Sequence, residues 1–321
     1  MREIDILSFG ETMAMFVAEQ SGELAQVSHF EKRIAGADSN VAIGLARLGF
    51  NVAWLSRVGD DSLGRFVIDS LQREGVDCRH VAVDPAYPTG FQLKSRELDG
   101  RDPCVEYFRR GSAASHLSVA DVSPVLLSAR HLHATGIPAA LSLSARELSW
   151  QLMTAMREAG RSVSFDPNLR PSLWSNQAQM ISEINRLAVL AHWVMPGLAE
   201  GALLTGYEDP DDMAAFYLDQ GVEAVVIKLG AKGAYYRTQL DQGFIAGVPV
   251  ANVVDTVGAG DGFAVGVISA LLENQGFAQA VARGNWIGSR AVQNRGDMEG
   301  LPLRAQLLAA EPADEPRRRP A

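Results

Sequence analysis

Six short strand-like runs, Ile4 to Phe9, Val52 to Ser56, His131 to Thr135, Ser162 to Asp166, Trp193 to Met195 and Ala224 to Lys228, alternate with stretches of helical periodicity. The periodicity predicts helices near 39–48, 61–74, 144–159, 176–190, 211–220, 261–274 and 277–294. Parallel strands need crossover connections, usually helical. Such alternation therefore builds βαβ units and a mainly parallel sheet with helices on both faces, an α/β fold. Sites in such sheets lie beyond the carboxyl ends of the strands. Asp166-Pro167-Asn168, Pro196-Gly197 and Gly230 follow such ends, so separate segments can line one crevice. Two regions, about 12–33 and about 81–112, fit the alternation poorly. In the second, Phe91 to Glu97 and Cys104 to Arg109 bracket Asp99-Gly100, a strong hairpin signal, and both regions read as strands outside the main layer.

The segment Asp255-Thr256-Val257-Gly258-Ala259-Gly260-Asp261-Gly262-Phe263, followed at once by the apolar run AVGVISALL, carries the clearest chemistry. Its glycines let the N–H groups from about 258 to 261 turn into one concavity at a helix N-terminus, where partial positive charge suits a phosphate. Asp261 in the first turn is the candidate base for an attacking hydroxyl. A carboxylate there is expected to stay ionised and weakly basic, which a loose transition state tolerates because the hydroxyl keeps its proton until late. The alternative for a lone GxGD is a glycine-rich turn with an ordinary helix-capping Asp.

The string DTVGAGDGFAVG resembles the C-terminal signature of the ribokinase-like (PfkB-type) carbohydrate kinases. AGADSN at 35–40 and RVGDDSLG at 57–64 are similar to their N-terminal sugar-binding region. The resemblance spans about residues 4 to 303. YFRRGSA at 107–113, DPNLR at 166–170 and GDMEGLP at 296–302 most resemble the 2-keto-3-deoxygluconate kinases within that family. The resemblance implies a ribokinase-like domain over 1–310, a mainly parallel sheet flanked by helices. Segments 12–33 and 81–112 would form a small β-sheet lid that closes over the sugar and takes part in dimer contacts, with a surface hairpin of purely packing role as the alternative. The Pro- and charge-rich segment 311–321 reads as a disordered tail.

The implied activity is ATP-dependent phosphorylation of 2-keto-3-deoxygluconate to 2-keto-3-deoxy-6-phosphogluconate, with Mg²⁺ as cofactor. Asp261 would be the base, and Gly258, Ala259 and Gly260 would hold the phosphate under transfer. Gly36 and Asn40 match sugar contacts, although Asp, Ser and Asn before a helix are also good caps. Tyr107, Arg109 and Arg170 match groups at the sugar acid. A carboxylate stripped of water needs a fork of N–H donors, whereas a neutral sugar needs none, so the two arginines favour an acid. Lys94 is a further substrate-site candidate, with a charged edge-strand residue that blocks aggregation as the alternative. Lys228, Gly230 and Gly233 resemble the turn beside the ATP phosphates and ribose, and Asn285 matches a position near the adenine. Glu200 matches the acid of the family's Asn-x-x-Glu motif, an indirect Mg²⁺ partner, but Gly197 stands where the Asn would be. Asp255 resembles a potassium ligand of some members, and capping the turn explains it equally well.

A net charge of −9 argues against a nucleic-acid-binding surface. Only Cys78 and Cys104 occur, without paired spacing, so neither a disulfide framework nor a zinc site is indicated and a reducing cytoplasm is expected. His131-x-His133 reads as structural or surface, since no third metal ligand accompanies it. Neither a signal peptide nor a membrane-spanning run is evident. The expected partners are a small sugar acid, ATP and a second copy of the chain through the lid. Two alternatives remain open: a fructokinase or other neutral-sugar kinase of the same family, and a non-catalytic sugar- or nucleotide-binding sensor.

Overall fold

The computed structural model describes residues 3–97, 103–294 and 296–310. Its strands are β1 Ile6–Phe9, β2 Met13–Ala18, β3 Phe30–Ala35, β4 Val52–Gly59, β5 Asp77–Asp84, β6 Phe91–Lys94 and β7 Val105–Phe108. They continue with β8 His131–Thr135, β9 Ser162–Asp166, β10 Trp193–Val194, β11 Ala224–Lys228, β12 Gly233–Thr238 and β13 Gln242–Ala246. The helices are α1 Ala37–Arg47, α2 Ser62–Arg73, α3 Gly136–Leu141, α4 Leu143–Glu158 and α5 Gln177–Ala188. After them come α6 Leu198–Thr205, α7 Pro210–Leu218, α8 Ala259–Leu272, α9 Phe277–Ala291 and α10 Arg304–Ala310.

Nine strands form one sheet in the order β13-β12-β11-β10-β9-β8-β1-β4-β5. The pairings from β5 to β11 are parallel, and β12 and β13 add an antiparallel edge. Alternating side chains feed two cores. Leu7, Phe9, Leu55, Leu132 and Phe165 enter the one shared with α4 and α5, whereas Ile6, Trp54 and Val226 enter the one shared with α1, α8 and α9. The predicted helices have legible starts. Asp61, Ser142, Asn176 and Asp209 each accept a backbone N–H in the first turn of α2, α4, α5 and α7.

Several elements depart from the sequence expectation. The short helices α3, α6 and α10 were not predicted. In α3 Pro138 breaks the signal, and α6 has no polar face to give a period. Residues 81–84 belong to β5 at the edge of the main sheet, not to an outlying layer. The expected strands ending at Glu97 and beginning at Cys104 are shorter, and the Asp99-Gly100 turn and the tail 311–321 lie outside the described residues.

The small second sheet has the order β3-β2-β6-β7, with β2 and β6 parallel and the outer pairs antiparallel. Phe91 stacks on Phe108 with ring centroids 4.6 Å apart and meets Phe16 edge-on.

Helix α8 is apolar around nearly its whole circumference, and Asp261 to Ala270 are all buried. It crosses α9 so closely that a Cβ on Gly266 would lie 2.5 Å from the Gly284 backbone. Gly266→Val should therefore wedge the two helices apart and destabilise the fold by roughly 1–3 kcal/mol, an overpacking cost read as a lower urea midpoint. An unchanged midpoint would show that the helices can separate freely.

Candidate active site

Two cavities meet at the N-terminus of α8. The first, about 540 Å³, is polar and lies between the small sheet and the carboxyl ends of the main strands. Its walls include Asn40, Arg109, Asp166, Arg170, Lys228 and Asp261. The second, about 470 Å³, is largely apolar, with Val248, Val253 and Phe263 among its walls. Lys228, Thr256 and Gly260 line both. A polar molecule in the first and a partly apolar one in the second would therefore meet at one turn.

That turn depends on Gly258, whose φ of 81° lies in the left-handed region and whose added Cβ would sit 2.2 Å from the Asp297 carbonyl oxygen. Only glycine fits there. The turn opens α8, so its N–H groups and the helix dipole face the junction of the cavities. Asp261 Oδ2 accepts a 2.8 Å hydrogen bond from Asn40 Nδ2, which joins α1 to α8 across the first cavity. Burial pushes the Asp261 carboxyl up to about 7, opposed by the Asn40 bond and helped by the nearby carboxylates of Asp166 and Asp297. The expectation of a weakly basic Asp261 is thus corrected: desolvation outweighs the helix terminus. Asp38, two residues before Asn40, is fully buried and pushed up to about 8, chiefly by desolvation.

Gly36, Asn40, Tyr107, Arg109, Arg170 and Lys94 all line the first cavity. Arg109 is only 7% exposed, because its Nε and Nη2 both lie 2.6 Å from Glu11 Oε2. Ser112 Oγ donates to the other Glu11 oxygen. The guanidinium is therefore fixed edge-on, with the Tyr107 ring 5.9 Å from its centre. Arg170 donates to the Leu169 carbonyl. Lys94 is no exposed edge-strand lysine. It is 3% exposed, with Nζ 2.6 Å from Asp255 Oδ2 and 3.3 Å from Asp297 Oδ1.

Toward the second cavity, Lys228 Nζ lies 2.5 Å from Asp166 Oδ2, while Gly230, Gly233 and Ala259 form the wall. Asn285 lines this cavity, but its Nδ2 donates to the carbonyls of Ile245 and Ala246 at 3.0 and 3.1 Å, so the amide fixes the end of β13. Glu200 lines the first cavity and caps α6 on itself: Oε2 accepts from Gly197 N and Oε1 from Leu169 N. Among the described residues, no cluster of His, Cys, Asp and Glu could hold a metal by itself. A magnesium ion would arrive on phosphate oxygens with most of its waters, and Glu200, which lines the cavity and is held by two backbone bonds, fits as an outer partner.

A potassium ion does not fit at Asp255. One of its carboxylate oxygens holds the Lys94 ammonium and the other accepts from Val257 N at 3.1 Å. Of the RVGDDSLG segment no residue lines either cavity. Arg57 pairs with Asp84 and Asp121, and Asp61 caps α2 while accepting from Thr89 N, so this motif is structural here. His131 and His133 are buried against Ser162 and Ser164. Sequence reasoning missed Glu11, Asp166 and Asp297 as site residues. Asp166 ends a predicted strand and Asp297 lies in a quoted motif, so both carried a signal. Glu11 carried none beyond following β1.

The pfkB family carbohydrate kinase pattern matches residues 3–304. The chain is 52% identical over 309 residues to a 2-dehydro-3-deoxygluconokinase of Bacillus subtilis (strain 168), covering 96% of this chain and 95% of that one. It superimposes on a crystal structure of a PfkB protein from Polaromonas sp. JS666 with a TM-score of 0.89 and 52% identity, covering 96% and 100% of the two chains. A fructokinase double mutant from Vibrio cholerae O395, crystallised with fructose, ADP and potassium ion bound, matches with a TM-score of 0.84 and 30% identity over 96% and 98%.

Asp38 and Asp261 hold their protons to higher pH in the folded protein than in the unfolded chain, where carboxyls ionise near pH ~4. Between about pH 4 and 8 the folded state binds more protons, so these groups make stability fall as pH rises. Asp38→Asn should flatten that slope in urea unfolding series run across this range. Equal slopes in variant and parent would remove Asp38 from the proton balance.

Proposed function

We propose that this chain, which belongs to the pfkB family of carbohydrate kinases, transfers the γ-phosphoryl group of ATP to the primary hydroxyl of 2-keto-3-deoxygluconate. The observation that carries the reading is the meeting of a polar, arginine-lined cavity with an apolar one at a glycine turn that opens a buried helix. The 2-dehydro-3-deoxygluconokinase relative at 52% identity supports the substrate.

In this reading the nucleoside occupies the apolar cavity and its phosphates reach the turn at Gly258 to Gly260, beside Lys228. Glu200 would be the outer partner of a magnesium ion carried with ATP, which would neutralise phosphate charge. The sugar acid lies in the polar cavity with its carboxylate toward Arg109 and Arg170. Arg109 is pre-oriented by Glu11, so little ordering remains to be done on binding. Asn40 fixes one oxygen of Asp261 and leaves the other to accept the hydroxyl proton. With a carboxyl raised to about 7, the base is well matched to neutral pH. The N–H groups of the turn hold the phosphoryl oxygens as the bond to the leaving group breaks. The small sheet covers the cavity, which excludes water as a competing nucleophile. Its exposed Phe108 suits a contact with a second copy, and the reaction suits a cytoplasmic location, where ATP is abundant.

Neutral-sugar phosphorylation is the second reading, supported by the fructokinase likeness. An ADP-release assay with Mg·ATP that compares 2-keto-3-deoxygluconate, fructose and ribose separates the two. The acid should be the preferred acceptor, and Asp261→Ala should lower kcat by at least ~10²-fold. Arg170→Ala should raise KM for the acid about tenfold or more while leaving weak fructose turnover unchanged. Preference for fructose in the parent protein would sink the carboxylate assignment. As the base must be ionised, kcat/KM should rise with pH through about 7 and then level off, and a rate already flat at pH 5 would rule out a raised Asp261.

A further inference from the structure

The strongest unexplained feature is a buried lysine that crosses from one sheet to the other. Lys94 lies on β6 of the small sheet, yet its ammonium contacts two carboxylates of the main body, 161 and 203 residues away in sequence. Neither carboxylate is incidental. Asp255 Oδ1 accepts the Val257 N–H at the entry to the phosphate turn. The Asp297 backbone carbonyl packs on Gly258, at the distance that excludes any side chain there. The ammonium therefore joins both walls of the turn.

Charge balance requires a cation at this point. Asp255 raises the cost of ionising Asp297, and Asp297 acts in the same sense on Asp261. Burial of two neighbouring carboxylates without a counter-charge would protonate one of them and loosen the turn. A dissolved ion can supply that charge, as can a tethered group. An ammonium and a potassium ion are of nearly the same size, and here the ammonium stands against Asp255, where a potassium ion would have to bind.

We propose that Lys94 is a built-in cation, a positioning residue that takes the place of a monovalent metal ion beside Asp255 and completes the phosphate turn from the small sheet. Lys94 then serves the turn rather than the sugar acid. Activity needs no potassium, and the turn is complete only while the small sheet is seated. The catalytic part of this inference rests on the kinase reading above, but the cation site itself does not.

Two measurements on the full chain test it. In the first, thermal unfolding midpoints are compared in potassium chloride and tetramethylammonium chloride at equal ionic strength. The parent protein should show no potassium-specific rise, and Lys94→Ala should show one that saturates with added ion, because the vacated place now binds it. A potassium-specific rise in the parent would overturn the proposal without any variant, as would the absence of one in a folded Lys94→Ala protein. In the second, ADP release with Mg·ATP and 2-keto-3-deoxygluconate is followed in the same salts and in ammonium chloride. Parent rates should agree within about twofold across salts. Lys94→Ala should lose at least about tenfold in kcat in tetramethylammonium chloride and regain part of it in potassium or ammonium chloride, with KM for the sugar acid little changed. A loss confined to KM and insensitive to the ion would make Lys94 a substrate ligand and overturn the proposal. Silence of the parent in every salt would fall on the kinase reading, and the unfolding midpoints would still decide the cation site.

Discussion

Everything at this site hangs on one close approach: the carbonyl of Asp297 lies against Gly258, where no side chain can stand. The contact fixes the left-handed turn, the turn fixes where α8 begins, and α8 is buried from Asp261 to Ala270 within the core it shares with α1 and α9. A helix so enclosed cannot slide to relieve strain at its start. The positions of Asp261 and of the turn's N–H groups are therefore set by packing far from them, including the glycine contact between α8 and α9. Precision here comes from a rigid element, not from a loop held by its ligand.

The fold class and the turn were legible because their signals are local. Strand and helix periods, side-chain caps and paired glycines act over a few residues, and six strands and seven helices fell close to their predicted places. The antiparallel edge of β12 and β13 was missed because it lies outside the βαβ rhythm, and α3 because a proline sits inside it. The electrostatics were the least legible. That Arg109 meets Glu11, that Lys94 meets Asp255 and Asp297, and that Asp261 is desolvated depend on which distant segments the topology brings together. The family resemblance pointed to Arg109 and the glycine turn to Asp261 as functional candidates, but neither the partner of the first nor the basicity of the second can be read from the chain.

The cavity walls carry their charges in pairs: Arg109 with Glu11, Lys228 with Asp166, and Lys94 with two carboxylates. Buried pairs of this kind add little net stability, since desolvation offsets much of their attraction, but they hold side chains in one geometry. In the proposed reaction the arriving carboxylate and phosphates meet cations that already have partners. Those partners keep the cavity from acting as a general trap for anions, and binding must come from a ligand that satisfies several of these groups at once.

The small sheet is assembled from two stretches of chain separated by a complete β-α-β unit. Strand β2 pairs directly with β6, and between them, after β3 and α1, run β4, α2 and β5, whose strands dock on the edge of the main sheet beside β1. Closing so long a loop has an entropic cost that is recovered only once that unit has docked and brought the two ends together. The order of folding is thereby constrained. Nascent or damaged chains with an unfinished edge have no second sheet, and hence no covered cavity in which a sugar could be held apart from water.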